Sequence, residues 1–66
     1  MRNYILTTCN GTIKEFNRIE DLIEILASDA ITELTNLEVS ILNKGQNIQR
    51  ENKQGEFLYK VEVRTN

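Results

Sequence analysis

Tyr4-Ile5-Leu6-Thr7-Thr8-Cys9-Asn10-Gly11-Thr12-Ile13-Lys14-Glu15-Phe16 sets two strand-like runs on either side of an Asn-Gly pair. Asn-Gly supplies the two positive-φ residues of a type I′ turn, whose twist suits a two-residue hairpin loop. A hairpin closed in this way puts Cys9 opposite Thr12, Thr8 opposite Ile13, Leu6 opposite Glu15 and Ile5 opposite Phe16. One face then carries Ile5, Thr7, Cys9, Thr12, Lys14 and Phe16. The other carries Tyr4, Leu6, Thr8, Ile13 and Glu15. Neither set is cleanly apolar, so the pattern leaves open which face meets the core.

Downstream of the hairpin the period changes to that of a helix. Asn17 is a candidate N-cap with Glu20 three residues on, the spacing of a capping box. Ile19, Leu22, Ile23, Leu26, Ala27, Ala30, Ile31 and Leu34 then recur on one stripe. Ser28-Asp29 favours caps and turns over helix interiors, which predicts a helix over about 18–28, then a short second turn or kinked continuation to about 34. From Leu37 the apolar residues alternate as Leu37, Val39 and Ile41, the mark of a half-buried strand. Lys44-Gly45 is a weaker turn signal that would pair Ile41 with Ile48 and Asn43 with Gln46, giving a polar strand near 46–51. Asn52-Lys53-Gln54-Gly55 offers another turn, and residues 57–64 alternate most regularly of all. The competing reading makes 43–56 one long loop, which compact domains seldom contain.

Assembled, the expectation is a single α+β domain over residues 1–66: strand–strand–helix–strand–strand–strand, an antiparallel sheet with one amphipathic helix packed on one face. The second sheet face then lacks a covering layer. A contiguous apolar cluster there, built around Leu42 and Leu58, would offer a homodimer or partner surface.

Sixty-six residues bury only about 60% of the unfolded surface, so such a domain is marginal without a staple. Cys9 is the only cysteine, which removes an internal disulfide, and the chain has no histidine, which leaves zinc poorly served. No metal or cofactor is expected. No run approaches the length of a bilayer span, the first residues lack a signal-peptide pattern, and a lone thiol fits a reducing compartment, so a cytoplasmic protein without a membrane segment is expected.

Catalytic patterns are wanting. Nucleophilic catalysis by Cys9 would need a base or cation beside it, and Lys14 is the one candidate on its predicted hairpin face. Glu20 with Glu24, or Asp21 with Glu24, are carboxylate pairs on one helix surface rather than across a cleft. Phosphate loops, nucleophile elbows and metal-ligand spacings are lacking, and the expectation is a non-enzyme.

Charge is the feature that points outward. Between Arg18 and Lys44 the chain has no cation, yet it carries Glu20, Asp21, Glu24, Asp29, Glu33 and Glu38, a local charge of −6 in a protein of net −2. Acids in a first helical turn gain from the helix dipole, which accounts locally for Glu20 and Asp21. The larger pattern suggests a regulator or inhibitor, of a kind encoded by phages and mobile elements, that presents Glu20, Asp21, Glu24, Asp29 and Glu33 to a basic protein partner. The rival is nucleic-acid binding through Lys44, Arg50 and Lys53. Interleaved Glu51, Glu56 and Glu62, few aromatics and a pI near 5.0 argue against it. A structural homo-oligomer is the third expectation.

Overall fold

The computed structural model describes residues 2–28 and 34–65. Six elements follow one another: β1 (Arg2–Thr8), β2 (Ile13–Phe16), α1 (Ile19–Ser28), α2 (Asn36–Asn43), β3 (Ile48–Glu51) and β4 (Phe57–Thr65). The strands form one antiparallel sheet in the order β2-β1-β4-β3. The α+β class therefore holds, with two helices and four strands among the described residues where one helix and five strands were expected.

The sheet is built around its first and last strands. β1 pairs along its whole length with β4, from Arg2 opposite Thr65 to Thr8 opposite Tyr59. β2 and β3 are short outer strands, each joined to its longer neighbour by a hairpin. Both hairpins use the same loop. Thr8 N–H donates to Thr12 C=O at 2.9 Å and Gly11 N–H to Thr8 C=O at 3.0 Å; Asn52 N–H and Gly55 N–H repeat this with Glu56 C=O and Asn52 C=O at 2.8 and 3.0 Å. This is a three-residue loop, a type I turn followed by a left-handed residue. Gly11, at φ +86°, takes the left-handed position.

The predicted two-residue I′ turn is therefore wrong by one residue. Tyr4 faces Phe16, Ile5 faces Glu15, Leu6 faces Lys14 and Thr7 faces Ile13. Because side chains alternate, that slip exchanges the faces of β2. Tyr4, Leu6 and Thr8 are buried, together with Tyr59, Val61 and Ile48 on the neighbouring strands. Phe16 joins them, while Ile13, paired with Thr7, is left 69% exposed.

Residues 36–43 form a helix rather than the predicted strand. Its start is fixed by a reciprocal capping box: the Thr35 hydroxyl accepts from Glu38 N–H at 3.1 Å, and the Glu38 carboxylate accepts from Thr35 N–H at 3.0 Å. Its end is a Schellman motif. Gln46 N–H reaches back to Ile41 C=O at 3.2 Å and Gly45 N–H to Leu42 C=O at 2.9 Å, with Gly45 left-handed at φ +82°. The Arg2 guanidinium donates to Asn43 C=O at 2.5 Å and lies against Gly45, so a cation closes the negative end of α2. Lys44-Gly45 is thus a helix stop, and the expected pairing of Ile41 with Ile48 does not form. The strand foreseen near 46–51 and the turn at 52–55 are both present, and β3 pairs with β4.

Both helices pack on one sheet face. Leu22 and Leu26 of α1 and Leu42 of α2 are fully buried against Leu6, Tyr59 and Val61. Leu42 therefore belongs to the core and not to the bare face. α1 begins at Ile19, which puts Arg18 rather than Asn17 at the capping position; its first backbone bond runs from Leu22 N–H to Arg18 C=O at 3.5 Å.

Candidate functional site

The six acids of the central segment do not share one fate. Glu20, Asp21 and Glu24 are exposed on α1. Leu22 and Leu26 pin the opposite side of that helix to the sheet, so Glu20 and Glu24, one turn apart, point away from the protein. Asp21 stands on the flank. Among the described residues, Arg18 makes the one ion pair with this group, to Glu20 at 3.6 Å, with both side chains about two-thirds exposed. Pairs so exposed contribute about 0–1 kcal/mol and are readily exchanged for an outside partner. Asp29 and Glu33 lie outside the described residues.

Glu38 turns inward and is used by the fold. Its side chain is 13% exposed and pairs with Arg50, itself 26% exposed on β3. Tyr59 donates its phenol proton to the other carboxylate oxygen at 2.7 Å, and Thr35 supplies the cap bonds already described. The Arg50 guanidinium also lies over the Tyr59 ring, 5.8 Å from its centroid. Burial first, then the hydrogen bond to Glu38, raises the Tyr59 phenol above its ordinary value. This cluster ties the start of α2 to β3 and β4. It satisfies every buried polar group it contains, and no buried side-chain donor or acceptor is left without a partner among the described residues.

The same geometry disperses the basic group of the rival reading. Arg50 reaches across the core face to Glu38, Lys44 sits at the end of α2 before β3, and Lys53 lies in the loop after β3. They do not make one patch. Cys9 is exposed in the first hairpin loop, and the observed register puts Lys14 on the side of Leu6, away from the face that was to join it to Cys9. Among the described residues no group of histidine, cysteine, aspartate and glutamate is arranged to hold a metal ion. Two shallow hollows open on the surface, one along β3 and β4 at Asn47, Gln49, Lys60 and Glu62, the other at Asn3, Glu15, Phe16 and Asn17. Neither assembles a nucleophile with a base. No described helix is long and apolar enough to cross a membrane.

Comparison with known protein families, curated proteins and solved structures finds no match to this chain.

Proposed function

We propose that this protein acts by surface contact, as a small non-enzymatic regulator or inhibitor that presents the outer face of α1 to a cationic site on another protein. The observation that supports this reading is the exposure of Glu20, Asp21 and Glu24 side by side, with Arg18 alone beside them among the described residues. The helix dipole offsets the repulsion for Glu20 and Asp21 in the first turn, so Glu24, on the next turn, is the acid that local helix physics leaves unexplained. Asp29 and Glu33, which the sequence reading joined to this group, lie outside the described residues. Glu38 is withdrawn from it, because its charge is already matched by Arg50. The nucleic-acid alternative is weaker, since Lys44, Arg50 and Lys53 stand apart.

The test is differential capture. The immobilised protein and its Glu20→Lys/Asp21→Lys/Glu24→Lys variant are exposed to the same cell extract. The reading expects a basic protein retained by the first, lost by the second, and released as salt rises through the range where the Debye length falls below about 10 Å. Equal retention by both baits would overturn it.

A further inference from the structure

The sheet face turned away from the helices bears no described element, and its charges are arranged to match themselves. Strand register sets its side chains in rows across the sheet. Ile13, Thr7, Lys60 and Gln49 form one row, Glu15, Ile5 and Glu62 the next, then Asn3 and Arg64; Leu58 lies beyond the first. Lys60 and Arg64 balance Glu15 and Glu62, so the face is neutral although the protein is acidic. Along β4 the signs alternate, with Glu62 3.4 Å from Lys60 and 3.9 Å from Arg64. Beside this charged row sit the half-buried Ile5, Leu58, which also packs against the core, and the largely exposed Ile13.

We infer that this face is covered by a second copy of the chain, packed sheet to sheet about a two-fold axis that crosses the strands between the Lys60 and Glu62 rows. A half-turn about that axis lays β4 antiparallel on β4 of the second copy. Lys60 of each chain then meets Glu62 of the other, Thr7 meets Ile5, and the aliphatic stem of Arg64 crosses Leu58. The charges fix register and partner, which is the usual role of ion pairs in an interface. A second copy necessarily carries the reciprocal pattern, which is why it is favoured over a foreign protein. Four strands about 4.8 Å apart and some six residues long, at about 3.3 Å each, give a face on the order of 400 Å² in projection. That is below the roughly 800 Å² per partner of a stable complex, so the dimer is weak and reversible. The described residues bury eight apolar side chains, a small core that leaves the monomer much to gain from association. The helices stay on the outside, so the inference does not depend on what α1 binds.

Sedimentation equilibrium from micromolar to about 1 mM protein tests it. The unaltered chain should pass from monomer to dimer across that range. Lys60→Glu and Glu62→Lys should each abolish self-association, and an equimolar mixture of the two should restore a dimer, because positions 60 and 62 are then both acidic in one chain and both basic in the other. A monomer at every concentration overturns the inference. So do a dimer indifferent to both substitutions and a mixture that associates no better than its components.

Discussion

Replacing Glu38 by alanine removes the carboxylate on which the Tyr59 phenol, the Arg50 guanidinium and the Thr35 cap converge. Loss of a helix cap costs about 0.5–2 kcal/mol. A buried hydroxyl left without its acceptor costs about 1–3 kcal/mol. Arg50 keeps access to water, which limits the cost of stranding its charge. Allowing for overlap, Glu38→Ala should destabilise by about 2–4 kcal/mol. For a chain of this size the whole stability is on the order of 3–10 kcal/mol, so the variant should lose a large fraction of it. In thermal unfolding the shift is about 4–8 °C per kcal/mol. The sharper assay is a double-mutant cycle in urea with Tyr59→Phe. That substitution should cost about 1–2 kcal/mol in the unaltered protein and nothing, or less than nothing, once Glu38 is gone. Additive effects, or a loss below about 0.5 kcal/mol for Glu38→Ala, would refute the view that this cluster anchors α2.

Leu42 and Leu37 distinguish helix from strand at 36–43. Leu42→Ala should cost about 2–5 kcal/mol and Leu37→Ala, 71% exposed, within about 0.5 kcal/mol, by chemical denaturation. Gly45→Ala meets no close atom, the nearest being Arg2 Nη2 at 3.5 Å, so its cost of about 1–2 kcal/mol should reflect the left-handed backbone alone. A matching loss is expected at Gly11, where an added Cβ meets nothing within 4 Å. The raised Tyr59 phenol makes the fold sensitive to alkali. The unfolded chain loses this proton near pH 10 while the native state keeps it, so stability should fall by about 1.4 kcal/mol per pH unit above that point. In a pH series of urea midpoints, Tyr59→Phe should flatten that slope.

Much of the architecture was legible in local patterns. The alternation over 57–64 and the apolar stripe of 19–26 correspond to β4 and α1, because each has one buried and one wet face. Residues 36–43 were misread for a physical reason. Glu38 occupies a core-facing position and Leu37 an exposed one, which breaks the helical stripe and leaves Leu37, Val39 and Ile41 to mimic a strand. Two signals could have corrected this: the Thr35–Glu38 capping box and Gly45 just past the helix end. In the hairpin, Asn-Gly suggested a I′ turn, whereas the loop takes in Cys9 as well and reserves the left-handed position for Gly11. Of the acidic surface, composition located the charge but not its division. That Glu38 faces inward depends on Arg50 and Tyr59, which approach it only through the tertiary fold.

The most direct test of the account is an amide NMR titration of the labelled protein with the basic partner it captures. Signals of residues 20–24 should move while those of Glu38 and its neighbours in α2 stay fixed, and the shifts should vanish in the triple charge reversal. Shifts confined to β3, β4 or the two hairpin loops, with α1 undisturbed, would contradict it.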